Sequence, residues 1–543
     1  MFVDARTLPS DTRVEADVCI IGCGPAGTTL ALELMSTGAR IVVLEAGAEE
    51  GSQAPGLEGA SSGEGAYPSL QGTRAQGFAG TSNVWSRGRR WLPDGGLRSR
   101  PLDPIDFEAR SWLPDSGWPF GYEHLLSYYK RANAVLGLGP YAYGAEAADP
   151  ESVLAPLPLA GSGLQTTLFR FARRDVFVSY RDVIGAAPNV EVLLNARAVE
   201  VEAAQDSAKV GRVREHTGHG EFSISARLFV LAGGGVENAR LLLLSRNRYP
   251  QGLGNGNDLV GRYFMEHLSA LTGRLHLRPL LRRRLDLYRR RDVEGVPVLG
   301  ALKLSSDVRR REQVLGVVLS PQVGHGVLFS QGFASYTTLL FHSRKLSLNQ
   351  RLLREHLPKV ARNPWAAAWG SYLLLRGKEG SGDYFGLSAH FEQAPQRENR
   401  VRLSDERDEL GLQRAEVQWR LGEDAVRSVR RTLELAGVEL SASGLGTIEA
   451  RFEQGMAQIG VNHHHMGTTR MHADPTHGVV DANSRVHGIV NLYVAGSSVF
   501  PTGGAAAATL TLVALTIRLA DHLKQELVSE RIRGGQRLTG EAD

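Results

Sequence analysis

The sequence contains little cysteine: Cys19 and Cys23 are the two cysteines among its 543 residues. Two thiols so close together cannot build a disulfide framework, so their number favours a reducing compartment. The N-terminal stretch has acidic residues before any apolar run and lacks the basic and apolar regions of a secretory signal. No window approaches the length of ~20 apolar residues that a membrane-spanning helix needs. We therefore expect a cytoplasmic protein without a membrane span.

A strong excess of one charge is also missing. The sequence pI of 9.0 suggests a basic binding protein for nucleic acid or membrane. The 62 basic and 58 acidic residues, however, leave a formal net charge of only +4. This excess is too weak to argue for a polyanionic partner, and we expect no nucleic acid. The length and the 42% hydrophobic content predict an ordinary globular protein of two or more domains.

A dinucleotide-binding pattern begins after Asp17, where an apolar run leads into a glycine loop, a helical pattern and a second apolar run. Gly22, Gly24 and Gly27 occupy the GxGxxG positions, which permit a tight turn, close approach of a pyrophosphate, and close packing of helix on strand. Glu45 ends the second run, where a carboxylate can accept hydrogen bonds from an adenosine ribose. The pattern fits FAD and NAD equally.

The C-terminal region indicates which dinucleotide is bound. In residues 491–523 a strand pattern leads into Gly496 and Ser497, then a loop of small residues, then a helix that begins near Thr509 and Leu510. The positive end of such a helix can stabilise the anionic N1/C2=O edge of a reduced flavin. This second glycine-bearing strand end favours FAD.

Several segments, in order, resemble the glucose–methanol–choline (GMC) oxidoreductases, especially their bacterial sugar- and polyol-oxidising, pyranose-oxidase-like branch. The resemblance implies an α/β fold with a discontinuous, Rossmann-like FAD-binding domain and an inserted α+β substrate domain that carries an antiparallel sheet. It divides the chain into residues 1–270, 271–459 and 460–543, the last with the catalytic loop. Besides the glycine unit, the matching segments are GFAGTSNVWSRGRRWLP (77–93), LFVLAGGGVENARLLL (228–243), NDLVGRYFMEH (257–267), FEQAPQRENRVRLSDERDELG (391–411), HHHMGTTRM (463–471) and YVAGSSVFPTGGAAAATLT (493–511).

The resemblance also implies how FAD is held. It assigns cofactor contacts to Ala232 and to the second glycine-rich segment, Gly80, Thr81, Ser82 and Asn83. Asn83 is a candidate to contact the flavin ring, although asparagine in such a turn is as often a turn residue. Some sugar oxidases of the family carry a covalent flavin histidine at the position of Val84, so we expect non-covalent FAD.

The three consecutive histidines contain the candidate catalytic base. In the family the base lies three residues before the Gly-Thr pair, which corresponds to His464. A neutral imidazole has a suitable pKa for removing the hydroxyl proton while hydride moves to flavin N5. A zinc site is less favoured, because adjacent histidines rarely point the same way and a fourth, spaced ligand is needed. We expect no metal.

One position departs from the family. The final loop usually supplies a second His or Asn, but here Ala507 occupies that position, and a methyl group makes no hydrogen bond. His463, His465 or a polar residue of the substrate domain could hold the alcohol instead. Alternatively, the enzyme runs lyase-like or other chemistry that does not oxidise alcohols. The main expectation is oxidation of a CH–OH group in a sugar, polyol or hydroxylated natural product, with the electron acceptor (oxygen, quinone or a redox partner) left open.

Two further features have ordinary interpretations. Arginine runs at 282–291 and 309–311 could recognise a phosphorylated or carboxylated substrate, but such runs are usually solvated. Trp365, Trp369, Tyr372 and Leu373–Leu375 could line an apolar substrate mouth, but such a cluster is more often core.

Overall fold

The structure is a computed structural model of the single chain. It describes residues 1–49, 59–62, 67–68, 70–85, 96–145, 155–205, 208–217, 220–278, 285–324, 327, 330–344, 350–376, 384–452 and 459–539. The arginines at 282–284 and the part of the second glycine-rich segment from residue 86 to 93 lie outside the described residues.

Strands occur along most of the described chain, and they form two large sheets and one small one. In chain order they are β1 (Phe2–Asp4), β2 (Arg13–Ile21), β3 (Ile41–Leu44), β4 (Gly59–Ser62), β5 (Leu97–Ser99), β6 (Leu164–Ala172), β7 (Val190–Leu194), β8 (Arg197–Ala203), β9 (Val210–His216), β10 (Glu221–Leu231), β11 (Leu268–Leu277), β12 (Arg291–Val293), β13 (Val296–Leu304), β14 (Val317–Gly324), β15 (Tyr384–Phe391), β16 (Arg400–Arg407), β17 (Gln413–Gln418), β18 (Gly446–Ala450), β19 (Ile459–Val461) and β20 (Leu492–Val494).

The α-helices lie between these strands and after the last one. In chain order they are α1 (Pro25–Leu34), α2 (Tyr122–Val135), α3 (Arg181–Ala186), α4 (Gly234–Leu244), α5 (Ser306–Glu312), α6 (Gln331–Arg344), α7 (Gln350–Arg362), α8 (Pro364–Leu375), α9 (Glu423–Ala442) and α10 (Ala508–Thr539). None of the helices in the described ranges is long and apolar enough to cross a membrane.

The first large sheet is mainly parallel. Its strand order is β1-β7-β3-β2-β10-β9-β8, with β20 paired to β10. Neighbouring strands among β1, β7, β3, β2, β10 and β20 pair in parallel. Strands β9 and β8 pair antiparallel at the edge. The central strands β2 and β3 end in continuous buried apolar runs, because helices cover both faces of such a sheet.

The second large sheet is antiparallel, in the order β18-β11-β15-β14-β13-β6-β5, with β12 paired to β13 and β19 to β11. A three-stranded sheet, β16-β17-β4, completes the strand set. The predicted fold class, a mainly parallel α/β domain beside an antiparallel sheet, is therefore confirmed. Strands β5 and β6 of the antiparallel sheet come from within residues 1–270, so the chain passes between the two sheets more than once. The proposed division into 1–270, 271–459 and 460–543 remains a prediction.

Candidate active site

The carboxyl ends of four parallel strands meet at one edge of the first sheet. Ile21 of β2 pairs with Leu44 of β3 and with Leu231 of β10, and Leu231 also pairs with Val494 of β20. The residues that follow these strand ends include the predicted cofactor contacts from three distant parts of the chain: Gly22, Glu45, Ala232 and Gly496. This edge is where open α/β sheets bind their ligands.

The three motif glycines have different surroundings. Gly22 has a φ of +105°, and a Cβ on it would lie 2.7 Å from the carbonyl oxygen of Ala232. A Cβ on Gly27 would lie 1.9 Å from the carbonyl oxygen of Gly22, so the first turn of α1 can approach the loop only without a side chain. A Cβ on Gly24, in contrast, would meet no atom of the described residues within 4 Å. The loop is thus closed on its sheet side and open at Gly24.

Glu45 is buried and organises the backbone around this loop. Its carboxylate accepts hydrogen bonds from the N–H groups of Cys23 (3.0 Å), Gly47 (2.9 Å) and Gly77 (2.8 Å). Burial raises the pKa of Glu45, and these three hydrogen bonds oppose that effect. The backbone of Ala46 adds a fourth hydrogen bond, so Glu45 holds the backbone of this loop from several sides.

The second glycine-rich segment lies directly against the first. Gly80 has a φ of +53°, and a Cβ on it would lie 2.8 Å from Cα of Gly24. Thr81 and Ser82 belong to the same short turn, where Ser82 Oγ donates to the carbonyl of Ala79 (2.7 Å). Asn83 Nδ2 donates to the carbonyls of Phe78 (2.7 Å) and Gly80 (2.9 Å), as a turn residue does.

The C-terminal segment joins the same region. Gly496 has a φ of +108°, and Ser497 Oγ donates to the carbonyl of His465 at 2.7 Å, which links this strand end to the histidine segment. Helix α10 begins at Ala508, and Thr509 and Leu510 are buried in its first turn. The predicted helix start is therefore one residue from the observed start.

Three histidine rings from separate segments form a cluster. His464 belongs to the triple-histidine segment, His267 directly precedes β11, and His390 lies in β15. Each ring has one nitrogen, either Nδ1 or Nε2, that lies within 4.8 Å of such a nitrogen on both other rings. His267 and His390 are buried, whereas His464 is partly exposed, so it forms the accessible side of the cluster.

Hydrogen bonds fix the proton positions on two of these rings. Nε2 of His267 lies 3.0 Å from the carbonyl oxygens of both Gly503 and Gly504, and since carbonyls only accept, this nitrogen carries the proton. Its Nδ1 lies 2.8 Å from Nδ1 of His464. In neutral His267 that atom is an acceptor, so Nδ1–H of His464 donates to it. Nε2 of His464 is then left with a free lone pair.

The same argument applies to His390. Nδ2 of Asn462 lies 3.4 Å from Nδ1 of His390 and can only donate, so the proton of a neutral His390 resides on Nε2. That Nε2 is buried and has no hydrogen-bond partner among the residues described. A buried donor without a partner is costly and commonly marks a ligand or functional position.

Burial keeps all three rings neutral. It lowers the pKa of His267 to about 4, opposed by the Gly503 and Gly504 carbonyls. It also holds the pKa values of His390 and His464 well below the ordinary value, and the charge of Arg98 and the closeness of the other histidines further disfavour a second positive charge. A neutral imidazole is the form that can accept a proton.

A buried carboxylate positions the histidine segment. Glu266 Oε2 accepts the backbone N–H of His464 (2.9 Å), and its Oε1 accepts the hydroxyl of Tyr67. Burial raises the pKa of Glu266 to about 7, although these hydrogen bonds lower it. His465 is buried beside it, 3.8 Å from Glu266 Oε1, and packs on Tyr67 and Phe264.

A buried ion-pair network supports the loop that holds His267. Arg309 pairs with Asp106 (2.8 Å) and Glu392 (3.3 Å), and Thr502 Oγ1 donates to the carbonyl of Asp106 at 2.6 Å. A Cβ on Gly504 would lie 2.4 Å from Asp106 Oδ2, so the loop rests against this network. Arg309 is therefore a structural residue rather than a solvated one.

Sequence reasoning identified His464 but not His267, His390 or Glu266. His267 and Glu266 end the segment 257–267, and His390 directly precedes the segment 391–411, yet 197 residues separate His267 from His464. Ala507 is buried. Among the alternatives to it, the polar residue of the substrate domain that lies near His464 is His390, whose ring centre is 6.3 Å away. His267, which the sequence did not suggest, lies closer, with ring centres 5.0 Å apart. The pairing of β11 with β15 brings His267 and His390 together. No local sequence pattern predicts this pairing, because the two strands lie far apart along the chain.

The three histidines also form the group in the described chain that could hold a metal ion. The 2.8 Å separation of the two Nδ1 atoms is the distance of a hydrogen bond, whereas two ligands of one tetrahedral zinc, each ~2.0 Å from the ion, lie about 3.3 Å apart. This geometry favours shared protons, and the absence of a metal stays a prediction.

Comparisons with known proteins point to one family. Residues 395–516 match the family described as GMC oxidoreductase, and residues 15–58 match an FAD binding domain. The chain is 23% identical to 2-methyl-1,2-propanediol dehydrogenase of Mycolicibacterium austroafricanum, over 95% of this chain and 97% of that protein. It is 26% identical to paromamine 6'-oxidase of Streptomyces fradiae, over 94% of this chain and 92% of that protein.

The fold has solved counterparts. An FAD-dependent oxidoreductase from Chaetomium thermophilum superposes with a TM-score of 0.54 at 18% identity, over 94% of this chain and 99% of that one. At this identity the likeness concerns the fold alone, and it agrees with the two-sheet architecture described above.

Proposed function

The chain belongs to the GMC oxidoreductase family and is an FAD-dependent oxidoreductase, and from this premise we propose that it oxidises a CH–OH group of a sugar, polyol or hydroxylated natural product. The observation that carries the proposal is the histidine cluster, in which His464 has a free Nε2 lone pair and the ring of His390, with its unpartnered Nε2–H, lies 6.3 Å away between ring centres. One nitrogen can take a proton while the other holds an oxygen.

The residues at the sheet edge fit FAD. The open space at Gly24 and the N-terminus of α1 suit a pyrophosphate, and a carboxylate directly after β3, at Glu45, suits a ribose hydroxyl. In this proposal Ala232, the turn at Gly80–Val84, Gly496, Ser497 and the first turn of α10 hold the remainder of the cofactor. Bound FAD supplies a hydride acceptor, which no side chain provides. A valine cannot form a covalent flavin bond, so Val84 supports non-covalent binding.

His464 is the proposed general base. Its Nε2 lone pair removes the hydroxyl proton of the alcohol, and its Nδ1–H keeps the ring oriented by donating to His267. His267 is a positioning residue, because its own orientation depends on the Gly503 and Gly504 carbonyls. A base of this kind contributes about 10²–10⁴-fold to the rate.

His390 is proposed to take the place of the missing polar residue at Ala507. Its Nε2–H donates to the substrate oxygen, which holds the alcohol and stabilises the charge that develops when His464 removes the proton. His390 lies in the predicted substrate domain, 271–459, so it is the substrate-domain polar residue that the departure at Ala507 requires.

The names of two relatives support the substrate class. One acts on 2-methyl-1,2-propanediol and another on paromamine, so both of those proteins are named for hydroxylated small molecules. We extend only the shared CH–OH group to this chain and leave the electron acceptor open. A cytoplasmic location is part of the proposal, since Cys19 and Cys23 are both buried free thiols.

Anaerobic titration of the purified holoenzyme tests the proposal. Sugars, polyols and hydroxylated natural products are added in turn, and bleaching of the oxidised flavin band near ~450 nm reports hydride transfer. We expect bleaching by at least one alcohol, loss of it in His464→Ala, and slower bleaching with a raised KM in His390→Phe.

Two outcomes distinguish the alternative. If no alcohol bleaches the flavin and His464→Ala keeps whatever activity is found, the enzyme runs lyase-like or other chemistry. If His390→Phe behaves as the wild type while His464→Ala is inactive, the base is correct but the alcohol oxygen is held elsewhere.

A further inference from the structure

A bundle of three helices occupies the connection between β14 and β15. Its last helix, α8, packs its inner face on Phe333 of α6, since a Cβ on Gly370 would lie 2.3 Å from that ring. Ala366, Gly370 and Leu373 are buried along this face. Their spacing of three to four residues is that of one helix face.

The opposite face of α8 is apolar as well, although it is exposed. Trp365 is 69% exposed and Leu375 86%, and Trp369 and Tyr372 are also exposed. The expectation that these four residues form core is therefore wrong, because the small residues of α8 take the inner face. A helix that is apolar all round is normally buried, so an exposed one indicates a surface that something covers.

The exposed rings form an ordered stack. Trp365 and Trp369 lie 6.1 Å apart with planes 7° apart, and Trp369 and Tyr372 lie 5.0 Å apart at 18°. The guanidinium of Arg376 extends the stack, 5.8 Å from the Tyr372 ring centre. The neighbouring helix α7 exposes Leu353 and Leu357, four residues apart. We call the four exposed apolar residues of α8 the aromatic face: Trp365, Trp369, Tyr372 and Leu375.

The charges in α8, which carries the aromatic face, and in the neighbouring α7 are mostly positive. Residues 350–376 contain five basic residues and one acidic residue, a net charge of +4, which equals the net charge of the whole chain. Arg354, Arg362 and Arg376 are exposed. Two copies of this face would repel each other, so the charge argues against self-association and for a negatively charged occupant.

We propose that the aromatic face docks on an anionic phospholipid bilayer. Trp and Tyr are the side chains that favour the boundary between headgroups and acyl chains, and arginines beside them attract anionic headgroups. Helix α8 has 12 residues and is about 18 Å long, shorter than a hydrocarbon core of ~30 Å, so the face lies on the bilayer. This surface is independent of the histidine cluster and of the proposed reaction.

Vesicle sedimentation with the full-length, FAD-loaded protein tests the proposal. The probes are sucrose-loaded vesicles of phosphatidylcholine with about 30% phosphatidylglycerol, and of phosphatidylcholine alone, at roughly 0.05 M and 0.5 M salt. We expect at least tenfold stronger partitioning to the anionic vesicles at low salt. Quenching of tryptophan fluorescence by brominated lipid should accompany binding.

Matched variants separate the apolar and charged contributions. Trp365→Ser with Trp369→Ser should abolish binding, whereas Val438→Ser with Val528→Ser, at two residues that are 65% and 58% exposed on other helices, should not. Removing Arg354, Arg362 and Arg376 by Gln should weaken binding roughly fivefold per cation. The control is Gln at Arg13, Lys130 and Lys209, three exposed cations elsewhere.

Circular dichroism and the flavin spectrum check that each variant is folded, and activity on a water-soluble substrate should be unchanged. Equal binding to both vesicle types, binding unaffected by the two tryptophan substitutions, or no binding at all would overturn the proposal. A dimer in solution that the tryptophan substitutions dissociate, without vesicle binding, would overturn it in favour of a protein partner.

Discussion

Replacing His267 tests whether a second histidine orients the proposed base. In His267→Leu the new side chain has a volume similar to that of histidine but no hydrogen-bonding atom. Nδ1–H of His464 therefore loses its acceptor at 2.8 Å. The Gly503 and Gly504 carbonyls lose their donor at 3.0 Å. Leaving one buried hydrogen-bonding group unsatisfied costs about 1–3 kcal/mol.

The first loss acts on the reaction and the second on stability. If the cost at His464 appears in the transition state, kcat falls roughly 5- to 150-fold, since about 1.4 kcal/mol changes a rate tenfold. His464→Ala should cost more, on the order of 10²–10⁴-fold, because it removes the base itself. The unpaired carbonyls should lower the melting temperature in both the FAD-loaded and FAD-free protein.

The assay is stopped-flow reduction of the flavin by a substrate identified in the anaerobic screen. The matched control is His267→Asn, whose Oδ1 takes the place of Nδ1 and keeps the acceptor for His464, although Nδ2 no longer reaches the loop carbonyls. We expect His267→Asn to recover most of the reduction rate without recovering the melting temperature. If His267→Leu reduces its flavin at more than half the wild-type rate, or if Asn rescues stability but not rate, the orienting role is refuted.

Three further predictions concern the cradle, the buried carboxylate and the histidine cluster. Gly27→Ala should destabilise the FAD-free protein by about 1–3 kcal/mol, because its Cβ meets the Gly22 carbonyl, whereas Gly24→Ala should leave that stability unchanged and lower only FAD retention. Denaturant unfolding and flavin absorbance separate them, and equal behaviour would contradict the assignment. Burial raises the pKa of Glu266 from 4.5 to about 7, so the contribution of this group to the stability of the wild type should fall as pH rises from 4.5 to 7. The stability of Glu266→Gln relative to wild type should therefore increase by about 3 kcal/mol between pH 4.5 and 8, and a constant difference in urea unfolding would contradict this. Elemental analysis should find less than ~0.1 zinc per chain, with activity unaffected by chelators, and stoichiometric zinc would overturn the proton-sharing interpretation of the cluster.

The arrangement of the proposed cofactor cradle was predictable because its pattern is local. The order of strand, glycine loop, helix, strand and acid requires a βαβ unit, and in a parallel sheet the ends of such strands meet at one edge. Gly22 and Glu45 are thus neighbours by topology. The approach of the segment at Gly80 to Gly24 was available only from the family resemblance, because no rule of local structure brings that turn to the first loop.

The outer face of α8 was not predictable in the same way. The apolar composition of α8 predicts a buried helix. Ala366 and Leu373 are indeed buried, whereas Trp365 and Leu375 are exposed. A sequence shows how apolar a helix is, whereas the side that faces the protein depends on where a partner such as Phe333 lies. Small residues then take the close contact, as Gly370 does, and the large rings are left outside.

The substitution at Ala507 has a physical explanation in the same terms. The family pattern requires a hydrogen-bonding group next to the base, and the sequence can test only the position where that group usually occurs. In this chain β15 brings the His390 ring, with its unpartnered Nε2, to 6.3 Å from that of His464. The final loop instead offers the carbonyls of Gly503 and Gly504 to His267. These two carbonyls fix the tautomer of His267, and His267 in turn fixes the tautomer of His464. The final loop can therefore orient the proposed base through its backbone, without a polar side chain at residue 507.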